Sequence, residues 1–329
     1  DEQWTSTPSP TLGSNWWGGE DYDARKEIAG IGQAFYDVST WNPVEVVASP
    51  SFRSSQASGL GVLKARQHEP VRVVEEWKAV GVKSVYSGGY HLYVVDFGRN
   101  FAGQYRFKLK GKSGQVITLR EGESLNADGS IFMENYYTGP ADTYETYTFA
   151  GKENGEEWGP EFMYHGFRYL QIIGLDEAPK PEDFTALRLR SDMDLAGTFE
   201  TNNSLLNDIH VICRDAIQSQ LYNSITDCPH REKLGWLDVP NEMYNSLVYN
   251  YDMENFFKKV VQDCFDAQYS NGRVPSTVPH FMSVYDDDPN WGGAAILVPY
   301  RNWKTYGDMT TMTKFYPQMK KLMDYYTSK

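Results

Sequence analysis

The spacing of apolar residues changes near residue 195, and this change constrains the fold more than any other feature of the sequence. Before it, runs of β-branched and aromatic residues are separated by Gly, Asn and Asp, which is typical of strands joined by tight turns. After it, apolar residues recur at helical spacing. The sequence therefore predicts a multidomain β + α protein, with an antiparallel β-sandwich up to about residue 190 and helices from about residue 199.

The β-like half contains recognisable turns and strands. The stretches 111–114 (GKSG) and 126–130 (NADGS) are typical of hairpin turns, because Gly and Asn tolerate positive φ. Strands are predicted at 90–98, 104–111, 115–123, 143–151 and 167–174. The first 70 residues or so are less regular, and candidate strands there lie at 41–50 and 70–80.

The second half contains four stretches with helical periodicity. They lie at 203–221, 241–269, 292–307 and 312–329. Asn202, Asn203 and Ser204 are N-cap candidates for the first of them. These helices look like the first few of a larger toroid, so we expect open apolar faces on the first two stretches. Self-association of the chain into a homo-oligomer would cover such faces.

Composition and charge narrow the choice of partners and cofactors. The formal net charge is -13, an acidic balance that repels phosphate backbones and argues against nucleic acid as a partner. No run of about 18 apolar residues is present, so no membrane span is expected. The three cysteines form no C-x-x-C pair that would suggest a metal site, and no cofactor or metal is expected. Aromatic residues make up 15%, which fits either sugar stacking or an aromatic β-sheet core.

Four further features are expected to be structural. His91 and His165 lie in strand-like surroundings, and Cys228 is expected to serve packing. The acidic run Asp286–Asp288 could bind Ca²⁺, but a solvated loop is the expectation. The opening residues DEQWTSTPSPT contain neither the charged n-region nor the apolar h-region of a signal peptide. We expect a periplasmic or extracellular protein, with a cytoplasmic location as the alternative.

The segment 226–236, TDCPHREKLGW, holds the densest set of chemically active side chains. Hydrolysis of a glycosidic bond needs one carboxylic acid to protonate the leaving oxygen, and a second carboxylate to activate water or attack carbon. Asp227 and Glu232, in a loop beside the aromatic Trp236, could supply this pair. The alternative is an exposed polar loop whose Arg231 and Lys233 form salt bridges.

This segment is similar to the catalytic-loop motif of the glycoside hydrolase family 78 α-L-rhamnosidases, which reads T-D-C-P-x-R-E-K-x-G-W or is one residue longer. Further resemblances lie at 18–28, 94–107, 119–132, 162–174 and 287–308. The resemblance implies the end of an N-terminal β domain over 1–75, a concanavalin-like β-sandwich over 76–190, and the first part of an (α/α)6 barrel over 195–329.

The resemblance also implies a role for each matching residue. The general acid of the family falls on Glu232, and a sugar-contacting Asp falls on Asp227. Arg231 matches the Arg of the motif, as a donor to sugar hydroxyls or an orienter of the carboxylates. Trp236 and Trp291 match aromatic positions that line the rhamnose pocket.

The chain departs from the family pattern at two positions. After G-W, much of the family continues T-G-D, whereas this chain continues L-D-V; Val239 therefore occupies the usual Asp position, and Asp238 precedes it. The W-G-D of the family appears with Gly293 in place of the acid. The general base of the family is a Glu far downstream, at a position beyond Lys329.

The expected function is removal of terminal α-linked L-rhamnose from a glycan or glycoside with inversion, with Glu232 as the acid and the base beyond this chain. We expect the 329 residues alone to be inactive. Two alternatives remain: a non-catalytic carbohydrate-binding fragment, and an (α/α)6 glycosidase that acts on another sugar.

Overall fold

The structure is a computed structural model that describes residues 3–45, 65–136, 142–280 and 287–329. The chain forms two compact units, the first from residues of 1–51 and 75–187 and the second from residues of 52–74 and 188–329. Strands build the first unit, and helices dominate the second. The predicted order, β followed by α, is confirmed, whereas the exact boundaries of the three predicted domains stay a prediction.

The strands are β1 (Thr5–Ser6), β2 (Thr11–Asn15), β3 (Gly19–Asp23), β4 (Asn42–Pro43), β5 (Val71–Lys78), β6 (Gly81–Ser87), β7 (Tyr90–Leu109), β8 (Val116–Gly122), β9 (Glu145–Thr148), β10 (Glu156–Trp158), β11 (His165–Ile173), β12 (Phe184–Ser191), β13 (Leu221–Tyr222) and β14 (Ser224–Ile225). The helices are α1 (Ser204–Gln218), α2 (Asp238–Glu242), α3 (Tyr244–Asn250), α4 (Glu254–Asp266), α5 (Pro289–Gly292), α6 (Ala294–Tyr306) and α7 (Thr310–Thr327).

Most strands join one sheet with the order β2-β3-β9-β8-β11-β7-β12-β5, and β6 and β10 also pair with β7. β8 pairs antiparallel with both β9 and β11, while β3 runs parallel to β9. The less regular N-terminal part therefore contributes two strands to the same sheet. Turns form at both predicted places, where Gly114 has φ 83° and Gly129 has φ 88°. The turn at 126–130 is closed by the antiparallel bridge between Leu125 and Ile131, whereas the hairpin predicted at 111–114 is wrong, because β11 lies between β7 and β8 in the sheet.

One long strand replaces the two that were predicted at 90–98 and 104–111. β7 runs through both stretches without a turn, and its pairing with β11 shifts register between Phe167 and Tyr169. Gly98 lies in this region with φ 84°, a backbone conformation that glycine adopts without strain. The GRN sequence at 98–100 therefore marks a bulge rather than the loop between two strands. Residues 46–50 of the candidate strand 41–50 lie outside the described residues.

The core of the first unit is rich in aromatic side chains. Tyr147 is stacked on Tyr22 with ring centroids 5.7 Å apart, and Phe107 meets Tyr147 edge to face at 5.2 Å. Much of the aromatic content thus serves packing of the β unit, where each buried ring removes a large apolar area from water. Among the described residues, none of the helices has the length and apolarity to cross a membrane.

Helix α1 begins as predicted, since the Asn203 side chain accepts a hydrogen bond from the Leu205 amide and caps the helix. The single helix predicted over 241–269 is wrong, because this stretch forms α2, α3 and α4. Between α3 and α4 the backbone of Tyr251 is extended, with φ -136° and ψ 150°. Asp252 then accepts a hydrogen bond at 3.2 Å from the amide of Glu254, the first residue of α4. Asp at this point favours a new helix start over continuation.

The apolar faces of α1 and α4 differ in their surroundings. Five apolar residues of α1 are exposed: Leu205, Leu206, Ile209, Val211 and Ile212. On α4 the apolar residues Phe256, Phe257, Val260, Val261, Cys264 and Phe265 are buried, in a core shared with residues of α6 and α7. The open face expected on 203–221 is confirmed, and the one expected on 241–269 is wrong for α4.

Candidate active site

The candidate loop, residues 226–237, follows a two-stranded hairpin and precedes helix α2. β13 and β14 pair antiparallel around Asn223, which has φ 58°. The loop then folds back on itself, because the Asp227 amide donates to the Leu234 carbonyl at 3.2 Å and the Lys233 amide donates to the Cys228 carbonyl at 3.2 Å. The sequence between Asp227 and Leu234 is thus presented as one compact turn.

A neighbouring segment fixes the far end of the loop. The Leu237 amide donates to the Ser276 carbonyl at 2.9 Å, and the Val278 amide donates to the Gly235 carbonyl at 2.9 Å. A Cβ at Gly235 would lie 2.1 Å from the Val278 carbonyl oxygen, so this close approach requires glycine. The G-W pair of the motif is therefore a point where two backbones meet.

Glu232 is held by Trp236. The indole Nε1 of Trp236 donates a hydrogen bond to Glu232 Oε2 at 3.0 Å, and the Arg231 Nε lies 3.8 Å from Glu232 Oε1. The Glu232 amide donates to the Cys228 sulfur at 3.3 Å. The Glu232 side chain is 36% exposed, so its carboxyl is both positioned and reachable. A general acid needs these two properties.

Trp236 also contacts Trp291, with ring centroids 5.7 Å apart and an interplanar angle of 45°. Trp291 belongs to α5, some fifty residues downstream of the loop, so the fold brings together two aromatic residues that the motif alone does not connect. Two rings beside a carboxyl can pack against the apolar face of a sugar while the carboxyl meets its glycosidic oxygen.

Asp227 occupies the other side of the loop. Burial raises the pKa of this carboxyl, and the negative charge of Glu232 also raises it, whereas hydrogen bonds from Cys228 and from the Leu234 amide oppose the rise. Burial, together with the Asp227 carboxylate, raises the pKa of the Cys228 thiol, which keeps the proton that it donates to Asp227. The charge of Glu232 therefore acts on the Asp227 carboxyl within the same loop.

Asp238 does not join this cluster by contact. It is the first residue of α2, and its Oδ1 is buried without a hydrogen bond to the described residues. At Gly293, the second departure from the motif, a Cβ would lie 2.3 Å from the Pro289 carbonyl oxygen. This backbone therefore has no room for the acid that the motif elsewhere carries.

Two residues of the loop have roles that residue type did not reveal. Cys228, expected to serve packing, accepts the Glu232 amide and donates to Asp227. Lys233 is buried and has φ 55°, a left-handed conformation that is rare outside glycine. The position of Cys228 next to Asp227 could have indicated its hydrogen bond to that carboxyl. Nothing in the sequence indicates the left-handed backbone conformation of Lys233.

A pocket of about 750 Å³ opens beside Asp227. Its lining is largely apolar and comes from α1 and its flanks, the loop and α2–α3; it includes Phe199, His210, Cys213, Ile217, Asp227, Val239, Met243 and Tyr249. The pocket shares Thr226 and Asp227 with the loop but does not include Glu232 or Trp236. Val239, which stands where the motif usually has Asp, adds to its apolar wall. Self-association through this open side stays a prediction.

The fold and the loop resemble those of a glycoside hydrolase with a helical catalytic part. Residues 194–329 match the bacterial α-L-rhamnosidase six-hairpin glycosidase domain, residues 89–190 match the bacterial α-L-rhamnosidase concanavalin-like domain, and residues 1–75 match the α-L-rhamnosidase N-terminal domain. The chain belongs to the α-L-rhamnosidase family.

Individual relatives agree with the family models. An α-L-rhamnosidase of Formosa agariphila is 30% identical over 99% of this chain and 34% of its own length. The solved α-L-rhamnosidase of Dictyoglumus thermophilum superposes with a TM-score of 0.90 at 31% identity, over 99% of this chain and 35% of that one. The Streptomyces avermitilis enzyme, solved in complex with L-rhamnose, superposes with a TM-score of 0.86 at 28% identity, over 99% of this chain and 30% of that one. The chain thus spans about a third of the length of the relatives that it matches.

Proposed function

We propose that this chain supplies the acid side of an α-L-rhamnosidase active site, with Glu232 as the general acid that protonates the leaving glycosidic oxygen. The observation that carries this proposal is the hydrogen bond from Trp236 Nε1 to Glu232 Oε2 at 3.0 Å. It holds the carboxyl in place within the loop, and the 36% exposure of the side chain leaves that carboxyl accessible to a substrate.

The other residues would bind the sugar around this acid. Asp227 would accept hydrogen bonds from rhamnose hydroxyls, and Arg231 would donate to them or orient the two carboxyls. Trp236 and Trp291 would pack against the apolar face of the ring. The buried Oδ1 of Asp238 would accept one further hydroxyl, because it makes no hydrogen bond among the described residues.

The substrate class is a terminal α-linked L-rhamnose on a glycan or glycoside, cleaved with inversion. The related Streptomyces avermitilis enzyme binds L-rhamnose, which supports the sugar. An inverting reaction needs two carboxyls roughly 6.5–9.5 Å apart with a water between them. We propose that the base comes from a part of the enzyme outside these 329 residues. Secretion to the periplasm or beyond the cell would give access to such glycans.

The proposal is tested by Glu232→Gln in the full-length parent enzyme. We expect kcat on natural rhamnosides to fall by about 10²–10⁴-fold, the usual contribution of general acid catalysis. Aryl rhamnosides with activated leaving groups should lose less, because they need less protonation. Glu200→Gln, the same change at an exposed carboxyl of the helical unit, is the matched control.

Near-full activity of Glu232→Gln on natural rhamnosides would refute the assignment. Proton NMR of the first product formed tests the stereochemistry separately: an inverting enzyme releases β-L-rhamnose first. Binding of rhamnose without turnover by the full-length parent would instead favour the non-catalytic alternative.

A further inference from the structure

The thiol of Cys228 contacts both carboxyl residues of the candidate loop. Its Sγ accepts a hydrogen bond from the Glu232 amide at 3.3 Å, and its S–H group donates to the Asp227 carboxyl. Cys228 is half-buried, whereas Cys213 is exposed and Cys264 is buried. A thiol that served packing alone would need neither hydrogen bond, so the place of Cys228 between the two carboxyl residues indicates a further role.

The backbone of the loop shows what the sulfur does for Glu232. Cys228 also accepts a hydrogen bond from the Lys233 amide through its carbonyl oxygen at 3.2 Å, so its side chain and main chain together hold two consecutive amides of the turn. Backbone amides are obligatory hydrogen-bond donors, and a side chain that accepts from them fixes the local backbone. Cys228 thus holds the main chain of Glu232, while Trp236 Nε1 holds its carboxyl, 3.0 Å from Oε2.

The proton on the sulfur acts on Asp227. Burial and the hydrogen bond to Asp227 raise the pKa of the thiol, so it stays protonated and remains a donor. Burial raises the pKa of Asp227 as well, and the hydrogen bond from Cys228 lowers it, whereas the charge of Glu232 raises it. The thiol therefore favours the ionised carboxylate, which accepts hydrogen bonds from hydroxyl groups and donates none.

We infer that Cys228 is a positioning residue for the reaction: its sulfur fixes the main chain of Glu232, and its S–H group holds Asp227 as an acceptor for a sugar hydroxyl. The inference rests on the proposed function, since it takes Glu232 as the acid and Asp227 as a sugar ligand. No covalent step passes through the sulfur. Cys228 acts through the two carboxyl residues, so its loss should change both kcat and KM.

Substitutions that separate hydrogen bonding from volume test this role in the full-length parent enzyme. Cys228→Ser keeps a donor and an acceptor, and Cys228→Val keeps an apolar side chain without either. Cys228→Val should lower kcat on natural rhamnosides by roughly 10–100-fold and raise KM, because a catalytic group displaced by about 1 Å costs up to about 10²-fold. Cys228→Ser should recover most of both losses.

Cys264→Ala is the matched control. This cysteine is fully buried on α4, and its side chain packs in the core of the helical unit. Its loss should lower the melting temperature and leave kcat and KM unchanged. If Cys228→Val behaves in the same way as Cys264→Ala, the thiol of Cys228 serves packing alone and the inference is overturned.

A second measurement on the 329-residue chain requires no turnover. The folded state raises the pKa of Asp227, so this group stabilises the chain below its unfolded pKa of about 3.9, and that contribution is lost as pH rises through the folded value. Removal of the S–H donor should raise the folded value further. The melting temperature of Cys228→Val should therefore fall increasingly below that of the parent chain from pH 3 to pH 7, by roughly 2 °C or more. Cys228→Ser should follow the parent chain.

Other titratable groups face Asp227 and must be kept constant. Among the described residues, His210, Cys213 and Tyr249 line the same pocket, and Glu232 acts on Asp227 from within the loop. All of these are the same in the chains compared. The melts are repeated with His210→Gln in every chain, because histidine ordinarily changes its charge between pH 5 and pH 8.

The two measurements can fail separately. Full activity of Glu232→Gln would refute the assignment of the acid, and the melts would still decide whether the Cys228 thiol holds Asp227 ionised. A gap in melting temperature between Cys228→Val and the parent chain that stays constant from pH 3 to pH 7 would overturn the inference even if Glu232 is the acid. If Cys228→Val fails to fold, Cys228→Ala replaces it in both measurements, and Cys228→Ser must still match the parent.

Discussion

Helices α1 and α4 have similar amphipathic sequences but different surroundings. The apolar side of α4 is buried in a core shared with α6 and α7, whereas five apolar residues of α1 are exposed. The catalytic-loop candidate lies between these helices in sequence. Its Trp236 contacts Trp291 on the covered side, while Asp227 lines the open pocket with α1. Periodicity shows that a helix has an apolar face, but it does not show what covers that face.

The largest expected difference is in stability. Phe257→Ala on α4 should lower the free energy of unfolding by about 3–5 kcal/mol, because a fully buried ring is lost and a cavity remains. Ile212→Ala on α1 should change it by less than about 0.5 kcal/mol in the 329-residue chain, since that side chain is 66% exposed. Urea denaturation of both variants measures this. Equal losses would mean that α1 is packed against something in solution.

The next largest effect is expected from a substitution of Trp236, on the side of the loop that contacts Trp291. Trp236→Phe keeps a ring against Trp291 but removes the indole donor from Glu232. Loss of a hydrogen bond to a charged group costs about 1.5–3 kcal/mol, so kcat of the full-length enzyme should fall by roughly 10–100-fold. Trp303→Phe, on α6 and partly exposed, provides the control. Unchanged kcat with raised KM in Trp236→Phe would show that the ring binds sugar and that its N–H does not position the acid.

Substitution of Asp227, which lines the open pocket, should give the smallest effect. This effect is on the stability of the chain, and it depends on pH. The folded state raises the pKa of Asp227, so folding favours the protonated form. That contribution to stability is present below the unfolded pKa of about 3.9 and is lost as pH rises through the folded value. Asp227→Asn should therefore stabilise the chain near neutral pH and flatten this part of the profile.

Thermal melts of Asp227→Asn from pH 3 to pH 7 measure the change, with the exposed Asp208→Asn as the control. A variant that is less stable than the parent at pH 7 would contradict the argument. It would mean that the hydrogen bonds which Asp227 accepts outweigh the cost of its burial.

Much of this arrangement follows from the sequence, and the rest depends on tertiary contacts. Alternation of side chains and glycine turns predicted the β unit, and Asn203 marked the start of α1. The break at Tyr251 escaped notice because apolar spacing continues through it. The motif located Glu232, but the approach of Trp236 to Trp291 depends on packing across some fifty residues.

The central proposal is that this chain carries the acid of the reaction but not its base. The direct test is to assay residues 1–329 on an aryl α-L-rhamnoside beside the full-length parent at equal concentration. We predict no turnover above background by the chain and full turnover by the parent. Comparable specific activity would contradict the account and place the base within these residues, where Glu242 and the Asp286–Asp288 run, whose Asp286 lies outside the described residues, would be mutated first.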